Sequence, residues 1–187
     1  MMMAQKMTQT TMRKITSRTT IKNPMLGLIL MASLLAPLHA QPMDDEDAEK
    51  EWKEVALQLP EAPQATNLLP FYNSDNQAFS VDAKSLTITS DGIVRYTLVS
   101  ISSSGAKNVS YEGIRCSTYE KKLYAFGRAD GSWSRSRRNQ WDSIQALAAN
   151  KQHSTLFSDY FCEGNTIAGK APAMLERLKK RQPLKPL

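Results

Sequence analysis

Apolar and polar side chains alternate with a period of two through the middle of this chain, the pattern of half-buried strands. Phe79-Ser-Val81 and Ser85-Leu-Thr-Ile-Thr89 are short runs of this kind, the second with Leu86 and Ile88 on one face. Leu68-Leu-Pro-Phe-Tyr72 has strand composition, but Pro70 lacks an N–H and confines it to an edge or a strand end. Asp91-Gly92 tolerates the positive φ of a tight turn and predicts a hairpin. It leads into Ile93-Val-Arg-Tyr-Thr-Leu-Val-Ser-Ile101, where Ile93, Val99 and Ile101 face one way and Val94, Tyr96 and Leu98 the other. Apolar groups on both faces predict a central strand covered on both sides. Asn108–Cys116 and Glu120–Phe126 follow across short connections, and Trp133 opens a last short strand. Short loops between successive strands predict an antiparallel meander of about five or six strands.

The period then changes. Trp141–Ala149 places Trp141, Ile144, Leu147 and Ala148 on one helical stripe. Ser154 or Thr155 is placed to cap a second helix carrying Leu156, Phe157, Tyr160 and Phe161, with Gly164 as its stop. The expected fold class is therefore α+β, an antiparallel meander with two C-terminal helices on one face. Residues 66–164 would hold this domain. Residues 165–187 read as a basic, disordered tail: Pro172–Gln182 could form a short basic helix, but its bracketing prolines and the Lys-Pro ending favour fraying. Residues 41–65 read as an acidic, flexible lead-in. Asp44-Asp-Glu-Asp47 opens it, a short helix over Glu49–Leu59 is possible, and Trp52 is the residue there suited to docking.

Charge alters the picture less than the total of +6 suggests. Residues 1–40 hold five cations (Lys6, Arg13, Lys14, Arg18, Lys22) and no acid, and without them the 24 cations fall to 19 against 18 acids. The basic character lies mostly in the N-terminus, which removes the main ground for a nucleic-acid partner. That N-terminus reads as a cleavable export signal. A cationic stretch runs to Asn23, an apolar run spans Met25–Leu35, and Leu38-His-Ala40 offers a small residue before Gln41. The apolar run is shorter than the roughly 20 residues a membrane-spanning helix needs. The signal is long, and residues 12–40 alone make a conventional one, so translation is expected to start downstream of Met1. No membrane span is expected after cleavage, and the expected location is the periplasm, with association to the outer membrane open.

Cys116 and Cys162 lie beyond the signal. In an oxidising compartment two cysteines in one small domain most simply form a disulfide. A zinc site would want four ligands and finds only His153 beside them, so no metal or other cofactor is expected. The bridge would fasten the end of the second helix to the sheet.

Several of these blocks recur together in a known arrangement. They are Leu86-x-Ile88, Ser90-Asp-Gly-Ile-Val-Arg-Tyr96, Ser103-Ser-Gly-Ala106, Tyr111-Glu-Gly-Ile-Arg-Cys116 and Lys122-Leu-Tyr-Ala125, with Trp141 and Cys162 downstream. In that order, over roughly residues 50–163, the chain resembles the CNP-one-like family of uncharacterised exported bacterial proteins. The resemblance implies one small domain in the periplasm or envelope. It implies no activity and therefore no catalytic residues.

Candidate chemistry centres on Asn108–Cys116. Glu112, Ile114 and Cys116 share a strand face, so Glu112 points with the disulfide towards the core. A buried carboxylate needs a partner, and Arg95 on the neighbouring strand, then Arg128, are the first candidates. Such a pair would be either a small polar binding site or a structural ion pair. Tyr111 and Arg115 occupy the other face around Gly113, where room is left for an aromatic ring or ligand, and Arg115 is placed to stack on Tyr111 or Tyr124. Arg135, Arg137 and Arg138 form the dense basic run of the folded region, suited to an anionic envelope surface. His153 reads as a surface or capping residue, and no Gly-x-Ser-x-Gly elbow exists to suggest a hydrolase. The leading expectation is a non-enzymatic binding or scaffolding module whose partner is an envelope protein or anionic surface. The alternative is a small periplasmic hydrolase or an enzyme-inhibitor-like binder using Glu112 and an arginine.

Overall fold

A computed structural model describes residues 52–144 and 151–184. Residues 1–40, expected to be an export signal, the acidic opening Asp44–Asp47 and residues 145–149, expected to continue a helix, lie outside them. Strands β1 (Leu68–Asn73), β2 (Gln77–Asp82), β4 (Ile93–Ser102), β5 (Lys107–Arg115), β6 (Glu120–Gly127) and β7 (Trp133–Arg135) form an antiparallel sheet in that order. Two short strands share partners with longer ones. β3 (Thr87–Ile88) pairs with the start of β4, and β8 (Asp142–Ser143) pairs with the start of β6. The expected meander is therefore present, with β3 inside the strand expected over Ser85–Thr89 and β8 as an added edge segment.

β4 is the centre of the sheet. Its first eight residues are buried, and it pairs with β5 from Ile93↔Arg115 to Ile101↔Lys107. The hairpin before it forms at Asp91-Gly92, where Gly92 takes a φ of +80° and the N–H of Thr89 bonds the Ile93 carbonyl at 3.0 Å. One face of β4, with Val94, Tyr96 and Leu98, packs into the main core alongside Phe79, Ile114, Leu156 and Phe161. Complete burial of side chains this size is worth about 1.5–3 kcal/mol each. On the other face lie Ile93, Arg95, Thr97 and Val99, all buried.

The cover on that second face is the lead-in. Among the described residues of the segment expected to be a flexible arm, 52–64 have no regular structure and lie extended on the sheet. No helix forms over Trp52–Leu59. Leu57 and Leu59 pack on Tyr111, Tyr124 and Trp133, and the Trp133 indole N–H bonds the Pro60 carbonyl at 2.7 Å. The apolar side chains on this strap give it a reason to dock, which its charge alone hid.

The helices lie on the main-core face, and the one expected near Ser154 is present, whereas the described start of the one expected from Trp141 is not helical. Trp141–Ile144 is extended rather than helical, because β8 pairs with β6 and the Ile144 N–H bonds the Tyr119 carbonyl. α1 (Lys151–Thr155) begins before Ser154 and widens into a π-helical segment, Leu156–Phe161. Leu156, Phe157, Tyr160 and Phe161 are buried, as their spacing predicts. β9 (Cys162–Glu163) and β10 (Thr166–Ile167) form a small hairpin, turned at Gly164. Cys116 and Cys162 are disulfide-bonded with Cα atoms 5.6 Å apart, fastening the end of the helical segment to the end of β5.

The described part of the expected tail forms a strand and a helix. Pro172 stands in the first turn of α2 (Ala171–Lys180), where no intrahelical N–H is required of it. Met174 and Leu178, one turn apart, are buried in the main core. Arg177 ties α2 to the preceding elements by donating to the Tyr160 and Ala168 carbonyls. No helix among the described residues is long and apolar enough to cross a membrane.

Candidate functional site

The two faces of β5 separate the polar residues into two groups. On the helix-side face, Glu112 is buried opposite Tyr96 of β4. The Tyr96 hydroxyl donates to Glu112 Oε2 at 3.0 Å, and the Ser110 hydroxyl to Oε1 at 2.6 Å. The remaining partner is His153 from α1, whose Nε2 lies 2.8 Å from Oε2. A carboxylate only accepts, so Nε2 carries the proton in this bond. His153 is itself buried, and its Nδ1 has no hydrogen-bond partner among the described residues. His153 is thus a core residue rather than a surface cap.

Burial by itself raises the Glu112 pKa. The His153 charge and hydrogen bond, the Ser110 hydroxyl and the Lys121 charge outweigh it and hold the carboxyl at about 2, below its ordinary 4.5. The Tyr96 phenol is pushed well up, by burial first and then by the neighbouring Glu112 charge, so it remains a donor. Neither expected arginine takes part. Arg95 projects from the opposite face, since it alternates with Tyr96, and Arg128 is exposed with a bond to Ser134. The carboxylate drew its counter-group from a helix instead of from the neighbouring strand.

On the strap-side face Arg95 is buried and donates to the Val55 carbonyl at 2.7 Å and the Ala56 carbonyl at 3.3 Å. Asp91 works beside it. Its carboxylate accepts the Val55 N–H at 2.7 Å, and its backbone carbonyl accepts the Trp52 indole N–H at 2.9 Å. Burial pushes the Asp91 pKa up, but Thr89, the Val55 N–H and Arg95 bring it below the ordinary value. Glu54 completes the grip, 2.6 Å from Lys122 and 3.8 Å from Arg95. A two-residue turn motif thus doubles as the receptor for the strap, a role the pattern around Asp91 does not disclose.

Arg115 lies between two tryptophans, its guanidinium 4.5 Å from the Trp52 ring centre and 4.8 Å from that of Trp141. Glu120 and Thr118 hold it from the side. The expected stacking on Tyr111 or Tyr124 does not occur. Tyr124 instead fills the gap at Gly113, where an added Cβ would stand 2.9 Å from the Tyr124 ring. That glycine serves the close approach of a core tyrosine, leaving no room there for a ligand. Burial, and then Glu54, raise the Tyr124 pKa far above the usual range.

Arg135, Arg137 and Arg138 are exposed, with Arg138 paired to Asp142 at 2.6 Å. Arg135 and Arg138 line a shallow cleft of about 350 Å³ that also takes in Lys122, Tyr124 and the strap residues Glu54–Leu57. The structure brings this basic rim next to the Arg95 and Lys122 network. It does not bring either to Glu112, which lies on the other side of the sheet.

The model of the CNP1-like family matches residues 47–179, a span that takes in the strap and nearly all of α2. No curated protein and no solved structure matches the chain.

Proposed function

The chain belongs to the CNP1-like family, and we propose that it is a non-enzymatic binding module of the bacterial envelope, exported by residues 1–40 and engaging anionic surfaces. One observation carries the reading. The acid–imidazole pair suited to catalysis, Glu112 and His153, is enclosed in the core, whereas Arg135, Arg137 and Arg138 are exposed and the first and last of them line a shallow cleft. An acid or base must reach the proton it transfers, and neither residue lines a described cleft. The hydrolase alternative draws no support from that geometry. Arginines on a shallow rim suit phosphate or carboxylate groups, which they bind through two parallel N–H donors.

Co-sedimentation with phosphatidylglycerol vesicles tests the reading. Binding is expected at low ionic strength, weakening as salt screens exposed charge. Replacing Arg135, Arg137 and Arg138 together by Gln should abolish it without moving the unfolding midpoint. Equal binding by that variant, or by neutral phosphatidylcholine vesicles, would refute the proposal.

A further inference from the structure

A second cleft lies between the loop ends of the β1–β2 and β4–β5 hairpins and the start of α1, towards the sheet edge opposite β7. It encloses about 650 Å³, within the range of small-molecule sites. Tyr72, Asn76, Gln77, Phe79, Ser103 and Gln152 are among its lining residues, and none of the described residues that line it is charged. The three other clefts each carry charged side chains, such as Lys84, Arg95 or Lys122.

Three features show a preformed wall. The Ser103 N–H bonds the Asn76 carbonyl at 2.9 Å, tying the two hairpin loops together. Gln77 pairs with Ser102 across the β2–β4 ladder, which sets the position of its side chain. The rings of Tyr72 and Phe79 lie 5.8 Å apart and tilted by 34°, giving an aromatic floor beside these polar groups. Meanwhile the side-chain amides of Asn76, Gln77 and Gln152 make no hydrogen bond within the described residues, so their donors and acceptors remain for a ligand.

We propose that this cleft binds a neutral saccharide. The chemistry selects that class by elimination and by fit. An apolar ligand would bury three amides and the Ser103 hydroxyl unpaired, at a cost of about 1–3 kcal/mol for each group, whereas the Ser74 and Ser102 hydroxyls already bond within their own loops. A phosphorylated or acidic ligand would find no counter-charge. A sugar offers hydroxyls that both donate and accept, matching side-chain amides that do the same, and an apolar C–H face to lie on an aromatic ring. The preset loops lower the ordering cost of binding.

Saturation-transfer NMR on the full chain, with N,N′-diacetylchitobiose and maltotriose as neutral probes and digalacturonate as the anionic one, tests the proposal. At least one neutral probe should bind in the millimolar range. The double variant Asn76→Ala/Gln152→Ala alters side chains outside the core, and is expected to weaken binding about tenfold with an unchanged unfolding midpoint. The proposal is overturned if neither neutral probe gives a signal, if digalacturonate binds as well as the neutral probes, or if the double variant binds like the parent. Vesicle binding through Arg135, Arg137 and Arg138 is measured separately, so either result stands without the other.

Discussion

Glu112 on β5 and His153 on α1, 41 residues apart in sequence, meet at 2.8 Å inside the core. The contact joins the sheet to the first helix through a charged group at the only place where the described helix side offers Glu112 an imidazole. Removing one partner from a buried pair leaves the other without compensation, which typically costs about 3–5 kcal/mol. Urea unfolding of Glu112→Ala should show a loss of this order. In a double-mutant cycle with His153→Ala the two losses should be less than additive. Strict additivity, or a single-variant loss below about 1 kcal/mol, would mean that the pair does not couple.

The same carboxylate predicts an acid limb to stability. Its folded pKa of about 2 lies below the ordinary 4.5, so the unfolded chain binds more protons between these values. Stability from this group is therefore complete above about pH 4.5 and is lost as pH falls towards 2. Asp91, also lowered, acts in the same direction. Urea midpoints measured from pH 5 downward should fall, and Glu112→Gln should flatten the fall. An identical slope in that variant would assign the acid limb to other groups.

Disulfide removal gives an independent measure. Cys116 and Cys162 close a 46-residue separation, for which chain entropy predicts about 4 kcal/mol. Cys116→Ser/Cys162→Ser should lower unfolding free energy by about that amount, as should reduction of the parent protein. A change below about 1 kcal/mol would show that the α1 and π-helical segment is held by its packed aromatics alone.

The strap is expected to depend on Asp91. In Asp91→Ala the Val55 N–H loses its side-chain acceptor and Arg95 loses a nearby carboxylate. The sheet should stay folded while the strap opens more often. Tryptic cleavage at Lys53 should then speed up about tenfold, the factor that about 1.4 kcal/mol of local destabilisation produces. Unchanged cleavage would place the strap's anchorage in Leu57, Leu59 and the tryptophans.

Strand periodicity was enough to read β2 through β7, because each side chain's face follows from its neighbours two positions away. The buried direction of Glu112, Ile114 and Cys116 came from the same rule. Helix positions were less legible. Trp141 and Ile144 fit a helical stripe, yet β6 offered an unpaired edge at Glu120–Lys121 and took Asp142–Ser143 into the sheet. The strap and α2 were misread for a related reason. Each has few apolar residues, and Leu57, Leu59, Met174 and Leu178 become structural only when an open surface exists for them to cover.

What the amino-acid order determined by itself was local. It set the central two-faced strand, the Asp91-Gly92 turn, the antiparallel meander, the inward face of Glu112 and the presence of two cysteines able to pair. Tertiary structure decided the partners. Arg95, the nearest cation to Glu112 on the adjacent strand, went to the strap because alternation puts it on the opposite face from Tyr96. His153 reached Glu112 because α1 packs over the helix side of the sheet. Periodicity specifies which way a side chain points, but the group it meets is set by how distant elements cover that face.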